Sequence, residues 1–415
     1  MKILRVLLPM LLLSAATAMA QVPPRPQPGP QPVPAPPQLG ANSYILMDYY
    51  SRQVLVDQNS GMRVEPASIT KVMTAYVVFQ ELAQGNITLD ETVAVSERAW
   101  RTGGSRMFIE PSMTPTVEEL LHGMVIQSGN DASVALAEHV AGTEEAFSDL
   151  MNHYAEVLGM TGTHFMNATG LPHEQHYTTA RDVALLSIAT IRDFPEYYDW
   201  YSEKEYTFNE IRQHNRNTLL WRDPAIDGLK TGHTDAAGYC LAASAMRDGM
   251  RLVSAVMGSA SESSRASESQ SLLNYGFRFF ETVQLYQAGD ELSRARVWKG
   301  LNDDVPLGLA EPLFVTIPRG RYDDLEARVE LEPELTAPLE QNSIVGTISV
   351  RLDDGEIASR PLIALEAVEQ AGFVGRTWDG LKLWVGGLLE GDEEGEAETG
   401  GEEEAEPEAE SADGE

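Results

Sequence analysis

The chain has 415 residues and a formal charge of −33, from 63 acids against 30 bases. That excludes a general nucleic-acid binder, which needs a basic surface. The single cysteine, Cys240, excludes an intramolecular disulfide framework and a cysteine-built zinc site. The length allows two or three domains with sizeable cores. Only six of the bases are lysine, so each lysine in a motif carries more information than usual.

Residues 1–20 form an address. Lys2 and Arg5 give a basic start, an apolar run follows from Val6 to Leu13, and Ala18-Met19-Ala20 is a small-residue cleavage pattern. This predicts a secretory signal cut after Ala20, because the apolar run is far short of the ~20 residues that span a bilayer. Residues 21–40 alternate proline with arginine, glutamine and valine, and predict a stiff extended linker with no core of its own. A bacterial exported protein fits best. A lone cysteine leaves nothing to cross-link in an oxidising compartment.

From 41 to 281 strand and helix signals alternate. Residues 44–47 and 54–56 predict a hairpin, and apolar periodicity predicts helices over 69–82, 117–127, 132–140 and 145–158. Residues 239–246 and 251–258 predict two late strands joined at Asp248-Gly249, a tight-turn signal. Early strands, a helical middle and late strands imply one sheet assembled from both ends of the domain, with helices packed on it.

Three short motifs sit in this frame. Ser68-Ile69-Thr70-Lys71 follows Pro66-Ala67, which places Ser68 in a first helical turn. Positions i and i+3 share a face, so hydroxyl and amine can meet. A serine needs a base to become a nucleophile, and a lysine serves if burial or a nearby cation lowers its pKa. Ser128-Gly129-Asn130 lies between two helices. Taken alone it is a plain loop with a cap; functionally, Ser128 can shuttle a proton and Asn130 can donate its amide to a substrate carbonyl. Lys230-Thr231-Gly232-His233 precedes the late hairpin and should lie along a sheet edge. There Gly232 would let a substrate strand approach, and Lys230 would offer positive charge to a carboxylate and depress the pKa of Lys71.

The order S-x-x-K, S-x-N, K-T-G resembles the serine acyl-transferase set of penicillin-binding proteins and class A β-lactamases. The likeness extends to 104–108 (GSRMF), 179–182 (TARD), 208–213 (FNEIRQ), 215–217 (NRN), 276–281 (GFRFFE) and 316–320 (TIPRG). The chain is similar over about 41–389 to the low-molecular-mass penicillin-binding proteins that are D-alanyl-D-alanine carboxypeptidases. The Pro-rich linker and acidic tail depart from that pattern. The resemblance implies an α/β (α+β) catalytic domain of the β-lactamase/transpeptidase type over 41–281, then a C-terminal all-β domain and an amphipathic anchor helix. It implies that Ser68 attacks the penultimate D-alanine, that Lys71 takes its proton, and that Ser128 with Lys230 protonates the departing D-alanine. The backbone N–H groups of Ser68 and His233 would hold the oxyanion, and Thr231 and Arg216 the terminal carboxylate. Peptidoglycan stem peptides would be the substrate and β-lactams covalent inhibitors. No cofactor and no metal is called for.

Residues 282–370 predict the small β domain, with strand patterns at 313–317, 344–351 and 356–364. In 371–389, Val374, Trp378, Leu381, Val385 and Leu388 share one helical face, with Arg376, Asp379 and Lys382 opposite. The charges and two tryptophans favour a helix lying in a membrane interface, on the periplasmic side of the cytoplasmic membrane. Residues 390–415 hold 14 acids and no base, which leaves −19 for the rest, and cannot bury enough surface to fold. Two alternatives stay open: a β-lactamase on the same scaffold, and a non-catalytic peptidoglycan-binding scaffold. His164, His173 and His176 read as loop histidines rather than metal ligands, and Cys240 as a buried structural thiol.

Overall fold

The computed structural model describes residues 32–332 and 334–372. The signal, the first part of the linker, the amphipathic segment from 373 and the acidic tail lie outside these. The chain enters through strands β1 (Ser43–Asp48) and β2 (Val54–Gln58), followed by helices α1 (Thr70–Ala83), α2 (Glu97–Arg101), α3 (Val117–Val125), α4 (Asn130–Ala141), α5 (Glu144–Val157), α6 (Ala180–Asp193) and α7 (Pro195–Tyr198). A small hairpin, β3 (Glu205–Phe208) and β4 (Ile211–His214), and α8 (Leu219–Arg222) lead to β5 (Ile226–Thr234), β6 (Gly238–Arg247), β7 (Met250–Ser259) and α9 (Glu262–Phe279). The hairpin turns at Asn209 and Glu210, both at positive φ, as a tight primed turn requires.

Five strands form one antiparallel sheet in the order β2-β1-β7-β6-β5. Its first and last strands come from opposite ends of the domain. Every residue of β1 is buried because both faces of the sheet are covered. Ile45 and Met47 point into a core shared with α1, α3, α4 and α6, while Tyr44 and Leu46 point to the other face, under α9. This is the two-residue alternation of a strand with a core on each side. The last strand, β5, is an open edge, as the third motif predicts.

The linker is more than a spacer where it is described. Val33 and Leu39 pack into the α9 core, and Tyr275 Oη donates to Pro34 O at 2.9 Å. Proline's fixed φ lowers the entropy lost in laying this strap down.

The second unit is all-β. Strand β8 (Phe280–Tyr286) leaves α9 directly and pairs with β11 (Leu313–Pro318). Strands β9 (Ser293–Trp298), β10 (Asp304–Gly308), β12 (Leu325–Leu331), β13 (Leu335–Thr336), β14 (Ile344–Leu352) and β15 (Gly355–Ala364) form a six-stranded sheet with its own apolar core. The two units are tied by buried polar groups. Thr282 Oγ1 donates to the buried Asp48 carboxylate at 2.5 Å, Ser51 and Thr316 hydroxyls lie 2.6 Å apart, and Tyr50 stacks on Phe314. No described helix is long and apolar enough to cross a membrane.

Candidate active site

Ser68 sits in a 3₁₀ turn, Ala67–Ile69, that runs straight into α1. Lys71 follows three residues on, and its Nζ lies 3.0 Å from Ser68 Oγ. Ala67 enters the turn at φ +47°, a left-handed conformation that costs a non-glycine residue about 1–2 kcal/mol. The fold holds it there from two sides. A Cβ on Gly232 of β5 would stand 3.0 Å from Pro66 O and 3.1 Å from Ala67 Cβ. Gly232 therefore lets the sheet edge close on the nucleophile's turn, a reason beyond the substrate approach read from sequence. Gly170 has φ +83°, and a Cβ there would stand 1.8 Å from Ala67 O. Gly170→Ala is expected to cost about 3 kcal/mol and to slow acylation of Ser68. A thermal midpoint and a penicillin-labelling rate like the wild type's would contradict this packing.

Lys71 is 1% exposed. It donates to Thr169 O at 2.6 Å, and no carboxylate hydrogen-bonds to it among the described residues. Burial, the largest cause, pushes its pKa down to about 7; Asp131 raises it, Arg216 lowers it and Glu144 raises it. About half of such an amine is neutral at pH 7 and able to accept a proton. Lys230 is 2% exposed. Burial first, and then the charges of Lys71, Arg216 and Arg265, hold its pKa well below the usual lysine range. The sequence reading had Lys230 depressing Lys71. The leading influence on both is desolvation, since both amines are buried from water.

The cleft in front of these lysines has a volume of about 210 Å³ and is lined by Ser68, Ser128, Arg216, Thr231, His233 and Arg265, among others. Helix α3 starts on a capping box between Thr116 and Glu119 and delivers the chain to Ser128, at φ +70°. Ser128 Oγ is buried with no hydrogen-bond partner among the described residues. It borders the cleft, where a substrate group can satisfy it. Arg216 Nε donates to Gln127 O at 3.2 Å, which fixes its guanidinium at the same rim. His233 packs against Tyr239 with the rings tilted by 36° and their centroids 4.1 Å apart.

Asn130 has a structural task beside the amide donation to substrate expected from its motif. Its Nδ2 donates to Gly103 O at 2.6 Å and its backbone N–H to Ser105 O at 2.7 Å. One amide donor is thus spent clamping the rim at 103–105, whose carbonyls need partners once buried. Asp131, the next residue, completes the clamp. Its buried carboxylate accepts from the backbone N–H groups of Met107, Phe108 and Ile109, at 2.8, 2.8 and 3.2 Å.

Comparison with known proteins agrees with this geometry. A family model described as D-alanyl-D-alanine carboxypeptidase, peptidase S11, matches residues 31–261, and one described as the C-terminal domain of penicillin-binding protein 5 matches 280–370. The D-alanyl-D-alanine carboxypeptidase DacA of Escherichia coli is 47% identical over 362 residues, covering 84% of this chain and 90% of that protein. The chain belongs to the peptidase S11 family of D-alanyl-D-alanine carboxypeptidases. The crystal structure of penicillin-binding protein 5 from Haemophilus influenzae superposes with a TM-score of 0.79 at 43% identity, covering 81% of this chain and 99% of that one. Penicillin-binding protein D2 from Listeria monocytogenes, solved in an ampicillin-bound form, gives 0.54 at 30% identity, covering 58% and 98%.

Within this S11 site the sequence reading missed the contribution of α9. Arg265 is buried, lines the cleft and pairs with Glu262 at 2.9 Å. Its signal was faint: one arginine in a serine- and glutamate-rich stretch. Ser105 also reaches the cleft, carried by the clamped rim. The described residues contain no group of three or more His, Cys, Asp or Glu placed to hold a metal. His176 is more than a loop residue, since it is buried and contacts Thr70 Oγ1 at 2.9 Å. Cys240 is buried, and burial pushes its thiol up to about 11, so it stays protonated and inert.

Proposed function

We propose that this protein is a serine-type D-Ala-D-Ala carboxypeptidase that trims peptidoglycan stem peptides through an acyl-enzyme on Ser68. The observation that carries the mechanism is the 3.0 Å contact between Ser68 Oγ and a buried Lys71 whose pKa is lowered to about 7. Ser68 Oγ attacks the carbonyl of the penultimate D-alanine while Lys71 takes its proton. Backbone N–H groups of Ser68 and His233 hold the oxyanion. The C–N bond breaks as Ser128, relayed by Lys230, delivers to the departing D-alanine the proton that Lys71 took, which leaves Lys71 neutral again. Thr231 and Arg216 hold that residue's carboxylate, with Arg265 behind them. Water then attacks the ester while Lys71 takes its proton, and Lys71 passes that proton to Ser68 Oγ as the ester C–O bond breaks and the shortened peptide leaves. The test is D-alanine release from a peptide ending in Lys-D-Ala-D-Ala by the mature protein. Absence of release from folded protein would overturn the reading.

The β-lactamase alternative is weakened by what stands behind Lys71. Class A β-lactamases use a glutamate to activate the deacylating water. Here a backbone carbonyl, Thr169 O, occupies the partner position. The neighbouring acids are engaged elsewhere, Asp131 on the rim and Glu144 on Ala168 N–H and Arg98. A penicillin adduct should therefore persist for many minutes, and rapid turnover of penicillin would restore the alternative.

The protein acts on the periplasmic side of the cytoplasmic membrane, held there by the amphipathic segment 371–389. The acidic tail opposes this attachment through repulsion from anionic lipid. Deleting 390–415 should raise affinity for anionic vesicles several-fold at low salt, with the gain fading as salt screens it. Unchanged affinity at low salt would remove the tail from the account.

A further inference from the structure

Two groups that hold one carboxylate must keep a fixed spacing. Arg216 stands in the loop between β4 and α8, and Thr231 stands on β5. An arginine side chain is long and loses rotamer freedom when a ligand fixes it, so its value in the cleft depends on how firmly its base is held. The chain around Arg216 is built for this. Burial alternates along 215–217: Asn215 is 6% exposed, Arg216 turns out to solvent, and Asn217 is 1% exposed.

Burying two amide side chains is costly unless their polar atoms are paired. Here each is. Asn215 Nδ2 donates to Tyr201 O at 3.2 Å and to Glu203 O at 2.9 Å, and its backbone N–H donates to Lys204 O at 2.8 Å. Asn215 Oδ1 accepts from the Asn217 N–H at 2.9 Å. Asn217 Oδ1 accepts from the Leu219 N–H at 3.2 Å, a local Asx turn. Asn217 Nδ2 donates to Gly228 O at 3.0 Å. That bond reaches β5 three residues before Thr231. Gly228 is itself fixed. It pairs with Ser244 of β6, and a Cβ on it would stand 2.4 Å from Tyr198 Oη.

Asn217 thus crosses from the Arg216 segment to the strand that carries Thr231. Arg216 Nε donates to Gln127 O at 3.2 Å, so the guanidinium is held near its tip and its backbone at the base. We propose that Asn217 is a positioning residue for the terminal carboxylate: its bond to Gly228 O sets the spacing between Arg216 and Thr231, and with it the preference for a substrate that ends in a free carboxylate. The inference rests on the carboxypeptidase reading and adds to it the residue that aligns the two holders.

The test compares two peptides, Nα,Nε-diacetyl-Lys-D-Ala-D-Ala and the same peptide ending in D-alaninamide. Wild type should show kcat/KM at least about 100-fold higher for the free acid, the scale of two charge-assisted hydrogen bonds. Asn217→Ser keeps an oxygen for the Leu219 N–H and loses the reach to Gly228 O. It should lower the acid-to-amide ratio about tenfold, the scale of one such bond. Arg216→Ala should lower the ratio too, and adding Asn217→Ser to it should lower the ratio no further, because the two act through one contact. A general loss of structure would slow both peptides alike and leave the ratio as it is in wild type. A wild-type ratio in Asn217→Ser, or a further fall of the same size in the Arg216→Ala background, would overturn the positioning role while leaving the carboxypeptidase reading intact. So would a ratio near one in the wild type itself, provided D-alanine is released. No D-alanine release from folded wild type would overturn both.

Discussion

Ser68→Ala is expected to lower D-alanine release by at least about 10⁴-fold, the scale on which removing a serine nucleophile acts. The same variant should form no covalent penicillin adduct. The expectation follows from position: Ser68 is the hydroxyl within reach of the buried amine of Lys71, at a turn held by Gly170 and Gly232. The fold should survive, because Lys71 keeps its hydrogen bond to Thr169 O and only one small oxygen is lost. A thermal midpoint within a few degrees of wild type would establish that. Residual release of more than about 1% from a folded Ser68→Ala protein would mean that the nucleophile lies elsewhere.

The second large effect is on pH. Lys71 acts as a base only when neutral, and burial lowers its pKa from 10.5 to about 7. The acylation rate should therefore rise with pH through a midpoint near 7 and flatten above it. At pH 5 only about 1% of the amine is neutral, so acylation should be about 100-fold slower than on the plateau. Lys71→Arg should lose activity at every pH, because guanidinium does not give up its proton. Asp131 raises the pKa of Lys71, so Asp131→Asn should move the midpoint to lower pH. A flat profile from pH 5 to 9, or a midpoint near 10, would remove Lys71 as the base.

The candidate catalytic set was readable in the sequence for a local reason. Ser68 and Lys71 are three apart on one helical face, and Lys230, Thr231 and Gly232 are consecutive on one strand. Short-range geometry of this kind survives without knowledge of the tertiary fold. The hairpins β1–β2 and β6–β7 were readable because their turns are short and their strands apolar. What escaped depends on long-range packing. Arg265 enters the cleft only because α9 lies across β6 and β7, and the serine-rich first half of that helix carries little apolar signal. Helix α6 went unread although it is a core element. Its buried Ser187 and Thr190 look polar in sequence but return their hydroxyls to the carbonyls of Val183 and Leu186. The Pro-rich strap was read as a bare linker because its partners, Tyr275 and the α9 core, lie over 200 residues away. The rim clamp made by Asn130 was not readable, because the carbonyl it serves, Gly103 O, is 27 residues distant.

The central claim is that Ser68, activated by Lys71, is the acylated residue. Mass analysis of the peptides released from penicillin-treated protein, with parallel labelling at pH 5 and pH 8, tests it most directly. The account predicts one adduct per chain, on the peptide containing Ser68, formed about 100-fold faster on the pH 8 side of the Lys71 transition. An adduct on any other residue, or equal labelling rates at the two pH values, would contradict it.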